Sequence, residues 1–153
     1  MKKISILVAD QDSHYRKNIV RFLEDYFKRK NNSIEELLIT EAMDGLDCLC
    51  AVFCANAKRI FYDLIISDDT MAFISGKLCS IVLQEFFLQN IITEIPMFIY
   101  STEFGVGKNN INIMSSSEEF GFNKPDFPSI VKNAYQKPLD FKSFEDIMKI
   151  CHF

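Results

Sequence analysis

Tryptophan is absent from this sequence, and arginine, histidine, proline and glycine are scarce, at four, two, four and five residues among 153. So few arginines, with 17 Lys+Arg against 21 Asp+Glu and a formal charge of −4, argue against a dedicated nucleic-acid binder. Long apolar runs are lacking too. The longest stretch free of charge is Cys48–Ala57, about half of what a membrane-spanning helix needs. Lys2 and Lys3 are followed only by Ile4–Ala9 before Asp10, too short an apolar region for a signal peptide and without a small-residue cleavage site. The expectation is a cytoplasmic protein with no membrane association. Five cysteines, an odd number, cannot make a complete disulfide framework and are expected as reduced thiols. Cys48, Cys50 and Cys54 lie close together, but the paired C-x-x-C loops of zinc sites are missing, so core packing is the better reading.

What is present is an alternation of strand-like and helix-like segments. Ile4–Ala9 is a continuous, β-branched apolar run, as expected of a strand buried on both faces. Asp12 or Ser13 can cap a helix in which Tyr15, Ile19, Phe22, Leu23, Tyr26 and Phe27 recur at helical spacing, ending in Lys28, Arg29 and Lys30. A strand around Leu37–Glu41, a helix from Asp44-Gly45 to about Ala57, a strand at Asp63–Ser67, a helix at Gly76–Gln89 and a strand at Pro96–Tyr100 follow. Val131–Tyr135 suits a fifth strand, and Phe141, Phe144, Ile147, Met148 and Cys151 mark a last amphipathic helix. Residues 102–130 break the pattern. They are rich in Gly, Asn, Ser and Pro, with a short helix plausible only around Met114–Phe120, and Phe104, Phe120, Phe122 and Phe127 stand out as a candidate partner surface. The alternation predicts a single α/β domain over residues 1–153: a doubly wound, five-stranded parallel sheet with helices on both faces and right-handed crossovers.

Sheets of this kind carry their chemistry beyond the carboxyl ends of the strands. Here those ends read Asp10-Gln11-Asp12, Asp68-Asp69-Thr70, Ser101-Thr102 and Lys137-Pro138. Carboxylates from two strand ends, with a hydroxyl and an ammonium beside them, suit a hard divalent cation such as Mg²⁺ and a phosphoryl group. A single acid at a strand end is more often a helix cap. Four ends that each supply what one reaction needs favour the functional reading.

The same segments resemble the receiver domains of two-component response regulators. Ile4–Asp10 with Arg16, Glu41-Ala42-Met43-Asp44-Gly45, Tyr62–Asp68 with Met71, Ser75 and Gly76, Ile95–Ser101, and Lys137-Pro138-Leu139-Asp140 are similar to five motifs of that family, in its order, across roughly residues 3–150. The resemblance implies a flavodoxin-like (CheY-like) fold in a stand-alone, partly degenerate receiver. It implies that Asp68 accepts a phosphoryl group from a histidine kinase or phosphotransfer protein. Asp10, Asp68, the backbone carbonyl of Thr70 and, weakly, Gln11 would hold Mg²⁺. Ser101 would bond the phosphoryl oxygen and Lys137 would pair with it. No activity beyond self-phosphotransfer and autodephosphorylation is implied. The change would be read by a downstream protein target at the last strands and helices, without direct nucleic-acid contact, and pairing of two copies through the last helices stays open.

The sequence departs from the family's pattern at several positions. Gln11 stands at its second acid position, with Asp12 able to compensate only if the loop shifts. Ala72 replaces a common proline. Ala134 stands at the switch-aromatic position, with Tyr135 next to it and expected on the other face of the strand. The segment between Ser101 and Lys137 is longer than usual by roughly a dozen residues. Lys124-Pro125 rivals Lys137-Pro138 as the last junction, but Pro128 and the lack of a following helix favour Lys137. Gly105-Val106-Gly107-Lys108 lacks the spacing of a nucleotide-binding loop. The departures support an alternative, a pseudo-receiver that binds partners without phosphorylation.

Overall fold

The computed structural model describes residues 2–30, 34–102 and 127–153. Among these the chain runs β1 (Lys2–Ala9), α1 (Ser13–Arg29), β2 (Ile34–Ala42), α2 (Gly45–Ala57), β3 (Leu64–Asp68), α3 (Gly76–Leu88), β4 (Met97–Ser101), β5 (Val131–Gln136) and α4 (Phe141–Ile150). Each helix starts on a side-chain cap. Asp12 accepts from the backbone N–H of His14, Asp44 from those of Leu46 and Asp47, Ser75 from that of Leu78 and Asp140 from that of Ser143. Such caps are each worth about 1 kcal/mol. Of the two residues able to start α1, Asp12 is the cap.

The strands form one parallel sheet in the order β2-β1-β3-β4-β5. The chain winds outward from β1 to β2, then returns to place β3 on the other side of β1. The crevice between the carboxyl ends of β1 and β3 is therefore the point where the winding reverses, the place where open α/β sheets bind ligands.

Side chains alternate between the two faces with period two. Ile4, Ile6, Val8, Leu64, Ile66, Phe98, Tyr100 and Tyr135 meet α1 through Ile19, Leu23 and Phe27 and α4 through Phe144, Ile147 and Met148. Leu7, Ala9, Ile65, Met97 and Ile99 meet α2 through Cys48, Leu49 and Val52 and α3 through Cys79 and Leu83. Both faces are covered, so β3 and β4 are buried along their whole length, matching the apolar runs Leu64–Ile66 and Met97–Tyr100 within them.

Where strands run longer than the sequence reading, one reason accounts for it. Apolarity marks the buried part of a strand, whereas the ladder continues as long as backbone groups pair. β2 therefore begins at Ile34, before its apolar stretch, and β3 and β4 run one residue further, to Asp68 and Ser101. The Asp69 N–H donates to the Tyr100 carbonyl at 2.9 Å, and the Lys137 N–H to the Ser101 carbonyl at 2.9 Å. Asp68 and Ser101 are thus strand residues held by the sheet rather than loop residues.

The helix expected around Met114–Phe120, the Gly105–Lys108 loop, Phe104, Phe120, Phe122 and Lys124-Pro125 lie outside the described residues. Phe127 is described. It is half-buried against the α2–α3 core, with the Lys77 ammonium 5.4 Å from its ring centre. Cys48 and Cys79 are buried, whereas Cys50 and Cys54 are exposed, and no group of three or more acid, histidine or cysteine side chains among the described residues is placed to share a metal. No helix among the described residues is long and apolar enough to cross a membrane.

Candidate functional site

The acids at the strand ends divide into two groups. Asp12, Asp44 and Asp140 are helix caps, and Asp69 joins them by accepting the Lys77 backbone N–H at 2.7 Å. Asp10 and Asp68 are different. Both are buried beside the winding reversal, where burial of a carboxylate is costly unless it is paired.

The partner of both is Lys137. Its ammonium lies 2.9 Å from Asp10 Oδ2 and 3.0 Å from Asp68 Oδ2, with side-chain exposures of 6%, 0% and 5% for the lysine and the two acids. Those values separate this pair from surface pairs such as Lys3–Glu36, which is mostly solvated. The ammonium also sits 4.2 Å from the ring centre of Tyr15 and 5.2 Å from that of Tyr100. Lys137 reaches the site because the last residue pair of the ladder, Ser101 with Gln136, brings the end of β5 to the end of β4. A cis peptide joins Lys137 to Pro138.

The other hydrogen bonds of the two carboxylates can be traced. Asp10 Oδ1 accepts the Asp12 N–H at 2.7 Å, and Oδ2 accepts the Tyr100 hydroxyl at 2.8 Å as well as Lys137. Asp68 Oδ1 accepts the Thr70 N–H at 3.3 Å. The Thr70 and Ser101 hydroxyls lie 3.1 Å apart. Arg16 fixes the first loop from behind, donating to the Asp10 carbonyl and pairing with Glu41 at 2.8 Å. Gln11 is exposed, and Asp12 is engaged as the α1 cap, so neither adds a second buried acid to the β1 end.

Burial pushes the Asp68 carboxyl above the ordinary carboxylate range, reinforced by the charge of Asp10 and opposed by its bond to Lys137. For Lys137, burial works downward, but the hydrogen bonds to Asp10 and Asp68 outweigh it and hold the ammonium above its usual value. Burial, and next the charge of Asp10, push the Tyr100 phenol well up, so it stays a neutral donor.

The backbone carrying Asp68 is also held closely from the α3 side. A Cβ built on Gly76 would lie 2.3 Å from the Asp68 carbonyl oxygen, and one on Gly45 would lie 2.4 Å from that of Ile74. Helix propensity alone would favour alanine at Gly76 by roughly 1 kcal/mol. The obstacle is backbone, which cannot swing away, and such overpacking costs about 1–3 kcal/mol. Gly76→Ala is therefore expected to lower the urea midpoint. An unchanged or higher midpoint would show that α3 does not press on Asp68.

The residues predicted from sequence are brought together in part. Asp10, Asp68 and Lys137 converge, Ser101 and Thr70 adjoin them as a hydroxyl pair, and Gln11 stands apart. Tyr135 lies on the α1–α4 face and stacks near Phe98 at 6.3 Å, while Ala134 pairs with Ile99 in register, so the two do occupy opposite faces. Lys137 supplies the ammonium. Tyr15 and Tyr100 were not predicted as site residues. Tyr100 carried a signal: it shares the parity of Phe98 on β4, the parity that faces the side holding Asp10 and Asp68.

As oxygen donors, Asp10, Asp68 and the Thr70 carbonyl fit a hard divalent cation of the Mg²⁺ type, which is commonly held by one or two carboxylates together with phosphate oxygens. The fit is minimal, because two carboxylates and one ammonium leave a single net negative charge to attract it.

No family model matches the sequence, and no curated protein matches it. Solved structures do. A two-component response regulator from Cytophaga hutchinsonii is similar at 20% identity and a TM-score of 0.61, over 99% of this chain and 98% of that one. A response regulator from Thermotoga maritima, in complex with Mg²⁺-BeF, is similar at 18% identity and a TM-score of 0.56, over 97% and 98%. The receiver domain of a Saccharomyces cerevisiae response regulator, crystallised with a histidine phosphotransfer protein, is similar at 13% identity and a TM-score of 0.65, over 96% and 87%. Over almost its whole length, this chain has the fold of response-regulator receiver domains.

Proposed function

We propose that this protein is a phosphoacceptor receiver in which Asp68 takes a phosphoryl group from the phosphohistidine of a histidine kinase or phosphotransfer protein. The observation that carries this reading is the Lys137 ammonium, held at 2.9 and 3.0 Å between two buried carboxylates at the winding reversal of the sheet. In the transfer, an Asp68 carboxylate oxygen forms the new P–O bond as the P–N bond to the donor imidazole breaks. The imidazole leaves with the electron pair. Water later attacks the phosphorus, returning the carboxylate and inorganic phosphate, so the chemistry is self-phosphotransfer and autodephosphorylation. Mg²⁺ held by Asp10, Asp68 and the Thr70 carbonyl would neutralise the phosphoryl oxygens.

Lys137 then exchanges one carboxylate partner for a phosphoryl oxygen. A phosphoryl group brings about −1.5 to −2 charge, and the Thr70–Ser101 hydroxyl pair is the nearest device able to respond by turning a donor toward it. β4, β5 and α4, which adjoin these residues directly, carry the change to a downstream protein in the cytoplasm. A phosphotransfer protein is the natural donor class, since the yeast receiver of the same fold was crystallised with one.

The test is intact-protein mass after incubation with Mg²⁺ and acetyl phosphate, beside Asp68→Ala. One phosphoryl adduct is expected on the wild type, none on Asp68→Ala, and loss of the adduct with EDTA. A second reading, a partner-binding pseudo-receiver, is favoured by the single buried acid at the β1 end and by the Tyr100 bond that already satisfies it. No adduct at any Mg²⁺ concentration would select it.

A further inference from the structure

A carboxylate that is to bind a cation needs a lone pair to offer, and Asp10 has few to spare. One oxygen accepts the Asp12 N–H, and the other accepts both Lys137 and the Tyr100 hydroxyl. Asp10 is fully buried and Tyr100 is 1% exposed, so water cannot replace the phenol cheaply. Lys137 is needed by either carboxylate, whereas the Tyr100 hydroxyl has Asp10 as its bonded partner. Hydrogen bonds to charged groups are among the stronger ones, and a buried one must be given up before the lone pair is free.

We propose that Tyr100 is the positioning residue that sets divalent-cation affinity at this site, its hydroxyl occupying a lone pair of Asp10 for which an incoming cation competes. The proposal rests on reading Asp10 and Asp68 as the cation-binding pair. It extends that reading, because it makes the cation compete with a residue of the protein itself. Gln11 strengthens the effect. It contributes no charge, so the cation meets only the single net negative charge of Asp10, Asp68 and Lys137 while displacing the phenol. The site is built to stand internally paired at low cation concentration, and to admit the cation only when it is plentiful or the incoming phosphoryl group adds its own oxygens.

Mg²⁺ titration of the full chain by isothermal calorimetry, after chelator treatment, tests this in the wild type, Tyr100→Phe and Gln11→Asp. Tyr100→Phe keeps the buried ring and leaves Asp10 paired with Lys137, so the fold is retained. Its affinity for Mg²⁺ is expected to rise about tenfold, which corresponds to about 1.4 kcal/mol. Gln11→Asp should also bind tighter, showing that the titrated site is the one described. A second readout needs no variant to fold: the wild type should show a tyrosine ultraviolet difference band as Mg²⁺ binds, because the phenol leaves its carboxylate. Tyr100→Phe should lack that band. Equal affinities for wild type and Tyr100→Phe, a wild-type titration without the tyrosine band, no response to Gln11→Asp, or no Mg²⁺ binding in any form would each overturn the proposal. Failure of the phosphoacceptor reading is recognised separately, by the absence of the Asp68 adduct in mass spectra.

Discussion

Lys137→Met should lower the free energy of unfolding by about 3–5 kcal/mol, the usual loss when one partner of a buried ion pair is removed. Methionine preserves the length and most of the apolar volume of lysine, so the substitution isolates the charge. What it leaves behind is two carboxylates, one fully buried and the other nearly so, within reach of a single vanished cation. The remaining donors, the N–H groups of Asp12 and Thr70 and the Tyr100 hydroxyl, cannot neutralise two charges. A whole domain of this size is commonly stable by about 5–15 kcal/mol, so the variant should fold but unfold at much lower urea. Adding Asp68→Asn should restore part of the loss, because only one buried charge then lacks its partner. The double-mutant cycle should give a coupling of at least about 1 kcal/mol. A loss below about 1 kcal/mol for Lys137→Met alone would place the triad in the class of solvated surface pairs and refute its burial.

The pH dependence of that loss has a definite sign. In the folded wild type the Asp68 carboxyl already sits above its ordinary value through burial, with Lys137 opposing the rise. Removing Lys137 removes the opposition, so the folded variant binds a proton at higher pH than the unfolded chain does. A carboxyl raised in this way favours the folded state below its unfolded pKa and ceases to do so as pH rises through its folded value. The deficit of Lys137→Met relative to wild type should therefore be small in acid and widen toward neutrality. On the alkaline side, the raised Lys137 ammonium contributes its stability below the ordinary lysine range and loses it above. Wild-type stability should fall there, and the variant should lack that component.

Periodicity accounts for the part of this structure that is legible in the sequence. Short, largely apolar, β-branched runs in β1, β3 and β4 read as strands covered on both faces, and helical spacing in α1 and α4 marks the faces that cover them. Once strands and helices alternate, the ends of the strands, and so Asp10, Asp68, Ser101 and Lys137, must assemble on one edge of the sheet. Periodicity does not give which lone pair meets which donor. Asp10 and Asp12 look equivalent in sequence, yet one is the buried partner of Lys137 and the other an exposed cap, a distinction made by where α1 begins. Tyr100 reads as one more buried aromatic of β4. Its role depends on a 2.8 Å bond to a residue 90 positions away, formed because β1 and β4 flank β3 and the same parity faces α1. Tyr15 reads as the start of the apolar stripe of α1, and only the position of Lys137 turns its ring into a cation contact.

Phe144→Ala should cost about 3–5 kcal/mol, as the largest core truncations do. Phe144 is fully buried at the first turns of α4, with its ring 5.7 Å from that of Phe22 and 6.1 Å from that of Tyr26, both on α1. Few side chains hold α4 to the sheet: Phe144, Ile147 and Met148 are its buried residues, so one truncation removes the largest of three anchors. The effect should reach the candidate site, because only Lys137 to Asp140 separate the end of β5 from the start of α4. Loosening α4 loosens the tether on Lys137, and the double variant Phe144→Ala with Lys137→Met should therefore be less destabilised than the sum of the two. Phe73 provides the contrast. It is 79% exposed in the loop after Asp68, and Phe73→Ala should change stability by no more than about 0.5 kcal/mol. Urea unfolding monitored by circular dichroism separates the cases. A Phe144→Ala loss near that of Phe73→Ala would mean that α4 is not anchored on α1, and strict additivity with Lys137→Met would mean that its docking has no hold on the ammonium.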